Sequence, residues 1–353
     1  MPFPVNLADY RTLAKRSLPK EIFDYIDSGA CDEITKHNNR RAFDNITIRP
    51  FCLRDVSKTD PSITLLGKKI GLPLIIAPMA FHQLVDKDGE ITTAKAANQH
   101  NIPMIVSMMS NISLEKISTQ SMNNNLWLQI YIFKNRELTK NLIKRAETAK
   151  YKALIITVGT PQLGKRERNI RNQFSLPSKI SAGNFSDLDS DINHLTINNF
   201  VNAELDPSLT WEDIEWVKSI TKLPIILKGI MNVSDAEEAC RRNVSGIVIS
   251  NHGGRQLDTT EATINILSEI TDKTQGKILV MLDGSVCRGT DILKAIALGA
   301  NAVLIGRPIL WALALNGQEG IINIINILKE EFEISMKLSG CPTIPEINMS
   351  ILT

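Results

Sequence analysis

Residues 224–250 read PIILKGIMNVSDAEEACRRNVSGIVIS, and two short apolar runs flank a segment of helical spacing in this stretch. The runs Pro224–Lys228 and Gly246–Ser250 are rich in Ile, Leu and Val and do not alternate with polar residues. Such runs are typical of parallel strands that are buried on both faces. Acidic residues begin the segment Val233–Arg242, where they suit a helix dipole. The stretch therefore predicts a strand–helix–strand unit.

The same unit recurs from residue 70 onward and gives eight apolar runs. They are Pro73–Ala77, Pro103–Ser107, Leu126–Tyr131, Ala153–Val158, Pro224–Lys228, Gly246–Ser250, Lys277–Asp283 and Ala302–Gly306. Helices are predicted between them at Glu137–Ala149, Trp211–Ile220, Val233–Arg242 and Thr290–Leu298. Eight such units predict an α/β fold, a closed (β/α)8 TIM barrel. The alternative, a doubly wound sheet, is disfavoured because Ala77-Pro78-Met79-Ala80 replaces a GxGxxG motif after the first strand.

We expect a single domain over residues 1–353, because nothing resembles a linker. Residues 1–69 predict an N-terminal cap, helical over 7–30, and residues 70–320 predict the barrel. Residues 320–353 predict a closing helix, Gly320–Ser339, and a tail. The long interval after the fourth run predicts an insertion near residues 160–210 on the face where barrels build active sites. Its polar part, residues 178–205, fits a mobile lid or a surface loop equally well.

Composition excludes several classes of function. The net charge of +2 gives no field for nucleic acid or an acidic membrane. No stretch approaches the roughly 20 apolar residues of a membrane span. Five scattered cysteines without a CxxC pair indicate reduced thiols. With no signal peptide and no Ser-Lys-Leu ending, we expect a cytoplasmic protein without a nucleic-acid, membrane or metal partner.

Most of the notable polar residues, together with the apolar residues 78–80, follow the predicted strands at their carboxyl ends, where a barrel collects its ligand contacts. In chain order these positions are Pro78, Met79, Ala80, Ser107, Gln129, Tyr131, Thr157, Lys228, Ser250, His252, Asp283, Gly306 and Arg307. Taken singly, a hydroxyl such as that of Thr157 is more often a satisfied core group. Their common position nevertheless predicts a ligand site.

Residues 250–258 read SNHGGRQLD and predict chemistry on an anion. The imidazole of His252 can exchange a proton near pH 7. The guanidinium of Arg255 can hold a carboxylate through two parallel hydrogen bonds. The two glycines between them permit close approach of the backbone. A purely structural His is the less favoured interpretation in this setting.

Three further positions indicate a phosphorylated cofactor. Lys228 ends a buried strand and needs a negative partner, either a salt bridge or a ligand such as the N1 edge of a reduced flavin. Residues 283–285, Asp-Gly-Ser, follow the seventh strand, and Gly306 and Arg307 follow the eighth. Loops at these places in a barrel often hold phosphate through backbone N–H groups.

From Tyr10 to about Ile347, and above all over residues 250–258, the chain resembles the FMN-dependent L-2-hydroxy acid oxidases. That family includes glycolate oxidase and L-lactate oxidase. The resemblance implies oxidation of an L-2-hydroxy acid to the 2-oxo acid by FMN. It also implies molecular oxygen as the electron acceptor, with release of hydrogen peroxide, and a homotetramer or octamer.

The resemblance also implies residue roles. His252 would be the base, Arg255 and Tyr25 would hold the substrate carboxylate with help from Arg166, and Tyr131 would bind the substrate hydroxyl. The residues that would contact FMN are Pro78, Met79, Ala80, Ser107, Gln129, Tyr131, Thr157, Lys228, Ser250, Asp283, Gly284, Ser285, Gly306 and Arg307. Met79 and Met109 replace a Thr and a Trp that are usual in glycolate oxidases. Because flexible Met leaves room, we expect L-lactate or a somewhat larger acid to be preferred over glycolate.

Three positions depart from the family. Gly159 replaces the Asp that would bond the catalytic His. In residues 283–289, here called the phosphate loop, Ser285 and Cys287 replace a Gly and an Arg of the family pattern. Strand alternation predicts that Arg288 points away from the phosphate. Two hypotheses follow, a working oxidase or a catalytically impaired paralogue that keeps the fold. A membrane-coupled dehydrogenase is disfavoured, because residues 178–205 are too polar to enter a bilayer.

Overall fold

The computed structural model describes residues 4–123, 125–185 and 203–353. The N-terminal cap consists of helices α1 (Leu7–Ser17), α2 (Lys20–Asp27) and α3 (Ile34–Asn45), followed by the hairpin β1 (Ile63–Leu65) and β2 (Lys68–Ile70). The predicted helical stretch 7–30 is therefore two helices, separated by Leu18 and Pro19. Pro19 provides no N–H for a continuing helix and is found at the start of the second one.

The barrel is closed and entirely parallel, as predicted. Its strands are β3 (Leu74–Ile76), β4 (Met104–Ser107), β5 (Leu126–Ile130), β6 (Leu154–Thr157), β7 (Ile225–Ile230), β8 (Gly246–Ile249), β9 (Leu279–Leu282) and β10 (Ala302–Ile305). They are hydrogen-bonded in the order β10-β3-β4-β5-β6-β7-β8-β9. Every one of the eight apolar runs thus contains or overlaps its strand.

Helices surround the strands. They are α4 (Gly89–Gln99), α5 (Leu114–Ser121), α6 (Arg136–Thr148), α7 (Glu167–Arg171), α8 (Trp211–Ile220), α9 (Val233–Arg241), α10 (Leu267–Thr274), α11 (Gly289–Ala297) and α12 (Arg307–Ser339). The predicted closing helix is the second part of α12, which departs from helical geometry at Asn316 and Gly317. Within the described ranges, no helix combines the length and apolar character needed to cross a membrane.

Strand parity determines which side chains enter the barrel. Ile75, Ile105, Trp127, Ile155, Ile226, Val248, Met281 and Leu304 fill its interior, and Leu65 and Ile70 of the hairpin pack beneath them. A strand alternates its faces, so residues two positions further along also point inward. Those residues are Ala77, Ser107, Gln129, Thr157, Lys228, Ser250, Asp283 and Gly306. The barrel core is therefore apolar below and polar at the carboxyl end.

The predicted insertion after β6 is described only in part. Its first section contains α7 and a 3-10 turn at Gly183–Phe185, and its last section leads into α8. Residues 186–202 lie outside the described residues, and most of the polar stretch 178–205 is among them. The lid interpretation therefore stays a prediction.

Candidate active site

The inward polar residues open into one cavity of about 680 Å³ at the carboxyl end of the barrel. Its wall contains nearly all the predicted site residues: Tyr25, Pro78, Met79, Ala80, Ser107, Gln129, Tyr131, Thr157, Arg166, Lys228, His252, Arg255, Asp283, Gly284, Ser285, Gly306 and Arg307. Ser250 lies behind the wall, where its Oγ is 2.7 Å from Lys228 Nζ and accepts the N–H of His252 at 3.1 Å. The structure thus brings the predicted residues together.

Three consecutive left-handed residues turn the loop after β8 into the cavity. The φ angles are 56° at His252, 64° at Gly253 and 71° at Gly254. A Cβ at Gly254 would lie 2.6 Å from the backbone nitrogen of Lys36, and one at Gly253 would lie 2.8 Å from Arg307 Nη1. Both glycines are required because helix α3 and Arg307 pack directly on the loop.

Asp258, at the end of the SNHGGRQLD stretch, anchors this loop to the cap. Its carboxylate accepts backbone N–H groups from Asp32, Ile34 and Thr35 at 3.1, 3.3 and 2.8 Å. Helix α3 has no side-chain cap of its own, so Asp258 satisfies its first donors. Asp258 belongs to the SNHGGRQLD motif, but its role at the start of α3 was not predicted from sequence.

Two buried guanidiniums share one pair of carbonyl oxygens at the end of α2. Arg255 Nη1 donates to Ile26 O at 3.2 Å and to Ser28 O at 2.9 Å, and Arg307 donates to the same oxygens at 3.3 and 2.9 Å. The negative end of the α2 dipole favours both cations. In the described part of the chain neither guanidinium has a carboxylate partner. Burial and the charges of Arg166 and Arg307 lower the pKa of Arg255, so the cavity is suited to receive anions.

Lys228 was predicted to have either a salt-bridge partner or a ligand, and its position allows both. Its Nζ pairs with Asp283 Oδ2 at 2.6 Å while the side chain lines the cavity. The other oxygen, Asp283 Oδ1, is buried and has no hydrogen-bond partner among the described residues. Such an orphaned acceptor suits a ligand hydroxyl. Ser107 Oγ donates to Gln129 Oε1 at 3.2 Å, and Gln129 Nε2 donates to Thr157 Oγ1 at 3.1 Å, which leaves a polar rim along the strand ends.

The phosphate loop keeps its backbone geometry but lacks one charge. Ser285 adopts a φ of 66°, in the region that favours glycine. Burial raises the pKa of the Cys287 thiol to about 11, so the thiol stays neutral. Arg288 borders the cavity, but its guanidinium pairs with Glu331 at 3.0 Å and is half exposed. Neither Cys287 nor Arg288 therefore provides the cation that the family pattern has here.

His252 is surrounded by cations. Burial lowers its pKa well below 6.5, and the charges of Lys228, Arg166, Arg255 and Arg307 lower it further. The imidazole is therefore neutral and able to accept a proton, and among the described residues no carboxylate is hydrogen-bonded to it.

Gly159 sits at a close crossing of two strand ends. A Cβ there would lie 3.1 Å from both Cα and O of Gly229, and a Cβ at Gly229 would lie 2.6 Å from Gly159 N. Gly229 has a φ of 114°, which favours glycine. An Asp at position 159 would therefore require β7 to shift by a few tenths of an ångström.

The fold, the phosphate loop and the anion-binding cavity define an FMN-dependent dehydrogenase, and the chain belongs to that family, whose model matches residues 14–353. It is 47% identical over 344 residues to a peroxisomal (S)-2-hydroxyacid oxidase of Arabidopsis thaliana, covering 97% of this chain and 94% of the relative. It is 41% identical over 361 residues to 2-hydroxyacid oxidase 1 of Homo sapiens, covering 100% and 97%. A structure of mandelate oxidase with (S)-4-hydroxymandelic acid superposes with a TM-score of 0.93 at 37% identity, covering 99% and 98%.

FMN fits the residues that are present. Asp283 Oδ1, which has no partner among the described residues, suits a hydroxyl of this cofactor, and the Lys228 ammonium suits its N1 edge. Arg307, which has no carboxylate partner in the described part of the chain, suits its phosphate. Among the described residues, no group of three His, Cys, Asp or Glu could hold a metal ion.

Proposed function

We propose that the chain oxidises an L-2-hydroxy acid to the 2-oxo acid, with L-lactate or a somewhat larger acid preferred over glycolate. One observation carries the proposal. A neutral His252 and an Arg255 that no carboxylate of the described residues pairs with project from one loop into the cavity where FMN fits. The relatives named as 2-hydroxyacid oxidases support this reaction class.

Five side chains of the cavity wall have parts in the proposed reaction. FMN, when bound, would supply the acceptor for two electrons, and molecular oxygen would be the final acceptor, reduced by two electrons and two protons to hydrogen peroxide. Arg255 and Arg166 bind the substrate carboxylate, because a guanidinium matches its two oxygens. Burial raises the pKa of Tyr25 and of Tyr131, so both phenols stay protonated and donate to the carboxylate and the hydroxyl. His252 accepts a proton as the α-carbon is oxidised.

The preference for a substrate larger than glycolate rests on the apolar wall. Met79, Met109 and Leu163 line the cavity together with the two tyrosines. A thioether on a flexible chain can move to admit a methyl or longer substituent. The wall therefore favours an acid with an apolar side chain.

The test is anaerobic. The purified protein is reconstituted with excess FMN, flavin binding is checked by fluorescence quenching, and L-lactate is added while the visible flavin band is followed. Bleaching supports the oxidation, and hydrogen peroxide formed after admission of air supports molecular oxygen as acceptor. A higher kcat/KM on glycolate than on L-lactate contradicts the substrate preference. Bound flavin that never bleaches, with L-lactate or longer 2-hydroxy acids, supports the impaired-paralogue alternative.

Restoring the missing carboxylate should speed the reaction. In Gly159→Asp, a charge-assisted hydrogen bond would stabilise the protonated His252, worth about 1.5–3 kcal/mol or roughly 10- to 100-fold in rate. It would also raise the pKa of His252. Activity that needs neutral imidazole is present above this pKa and is lost as pH falls through it. The acid limb of the kcat/KM profile should therefore lie below pH 6.5 in the parent and move upward in the variant.

Gly159→Asn is the matched control, since it places a similar volume against Gly229 without a charge. It should fail to raise the rate or to move the acid limb. Equal effects of Asp and Asn would show that position 159 acts through packing alone.

Assembly and location are further proposals. We infer a homotetramer or octamer and a cytoplasmic location. Light scattering on the purified protein and fractionation of cells test these two statements independently.

A further inference from the structure

The phosphate end of the cavity requires a source of positive charge other than its own loop. Cys287 is uncharged, and its backbone N–H donates to Asp291 Oδ2 at 2.8 Å. Arg288 pairs with Glu331. A phosphate dianion with Arg307 as its one cationic partner would be incompletely matched.

Arg40 lies beside the phosphate loop, but its guanidinium already pairs with carboxylates of the chain. Its Nη1 donates to Ser285 O at 2.9 Å and to Asp291 at 2.6 Å. Its Nε and Nη2 donate to Asp44 at 3.1 and 2.9 Å. Arg40 also borders the cavity, but two carboxylates match its guanidinium, which ties α3 to the phosphate loop.

Lys36, one turn earlier on α3, lies at the cavity. Its side chain is 11% exposed and lines the same cavity as Ser285, Cys287 and Arg307. The close packing of its backbone against Gly254 fixes its position. The Nζ donates to Asp27 at 3.1 Å and to Glu33 at 3.0 Å. An ammonium has three N–H donors, so one is left for a ligand.

Asp27 holds a second cation beside Lys36. Its carboxylate, 1% exposed, accepts from Arg11 Nε at 2.7 Å and from Arg11 Nη2 at 2.9 Å. Burial opposes ionisation of Asp27, but the hydrogen bond from Arg11 and the charge of Lys36 prevail and lower its pKa. Arg11 lines the cavity as well. This buried carboxylate therefore pairs with cations from α1 and α3, and it also accepts from Arg168 Nη1 of α7 at 3.2 Å.

We propose that Lys36, assisted by Arg11, binds the phosphate of FMN in place of the arginine that Cys287 replaces, and that Asp27 positions both cations. The N-terminal cap thereby becomes part of the cofactor site. This inference rests on the FMN cofactor and is independent of the substrate oxidised.

The test compares two flavins on the cofactor-free protein. FMN and riboflavin differ by the phosphate, so the ratio of their Kd values isolates the phosphate contribution. Titrations are followed by quenching of flavin fluorescence. Lys36→Met should lower the preference for FMN about 10- to 100-fold, and Arg11→Met, which removes a more exposed group, should lower it several-fold. Lys36→Arg should retain most of the preference.

Arg288→Met is the matched control and should leave the preference unchanged, because its partner is Glu331. An unchanged preference in Lys36→Met overturns the proposal, as does an equal loss of affinity for FMN and riboflavin, which would indicate a structural role. A parent protein that binds both flavins equally also overturns it. None of these outcomes depends on oxidation of a hydroxy acid.

Discussion

His252→Gln is expected to slow anaerobic flavin reduction by about 10²- to 10⁴-fold, the range over which a positioned general base contributes. Gln keeps hydrogen-bonding capacity but cannot take the substrate's proton at neutral pH. Of the side chains that the SNHGGRQLD loop places in the cavity wall, the imidazole is the one that can accept a proton at neutral pH. Stopped-flow absorbance of the FMN-loaded variant, mixed with L-lactate, measures the rate.

His37→Gln is the control, because His37 also lines the cavity but is exposed on α3. It should reduce flavin at the parent rate. A His252 variant that bleaches as fast as the parent would assign the proton to another group and remove the mechanism proposed above.

Arg255→Met is expected to lower kcat/KM by about 10²- to 10³-fold, since removing one partner of a buried charged pair costs about 2–5 kcal/mol. The same substitution should not destabilise the protein, although it lowers activity. Burial and the neighbouring charges of Arg166 and Arg307 lower the pKa of this guanidinium, and within the described ranges no carboxylate pairs with it. Removing it relieves that repulsion, so the Tm without substrate should stay unchanged or rise.

Arg255→Lys keeps the charge and loses the planar fork, so kcat/KM should fall to an intermediate value. A fall in Tm equal to that of a core truncation, together with loss of flavin, would show that Arg255 holds the loop rather than the substrate.

The barrel was predictable because its signals are local. A strand buried on both faces must be a short apolar run, and all eight such runs are strands in the structure. Strand parity then places Lys228 and Asp283 inside, so much of the cavity also follows from sequence. The N-terminal cap followed only in part, because its helical stretch over residues 7–30 was predicted but helix α3 was not. Helix α3 is mostly polar, and Asp258, which satisfies its first N–H groups, lies more than 200 positions away in the chain.

The charge cluster of the cap was equally beyond the sequence. Asp27, Arg11 and Lys36 occur on three separate helices, and each reads alone as an ordinary surface residue. The burial of Asp27 and Lys36, with Arg11 paired at the edge, arises from the packing of α1, α2 and α3 over the barrel mouth. The motif at residues 250–258 revealed His252 and Arg255, whereas the partners of Asp258 required coordinates.

The carbonyl oxygens of Ile26 and Ser28 give the molecule a thermodynamic linkage. They hold Arg255 and Arg307 close enough for each charge to be felt by the other. An anion bound at one guanidinium lowers the positive potential at the other, and two bound anions repel each other. By reciprocity, this electrostatic coupling makes binding of the cofactor phosphate and binding of a free carboxylate oppose each other. Small carboxylates at high concentration would therefore slow the loading of flavin, and the loaded molecule would release its product acid more readily than the charge of Arg255 alone suggests.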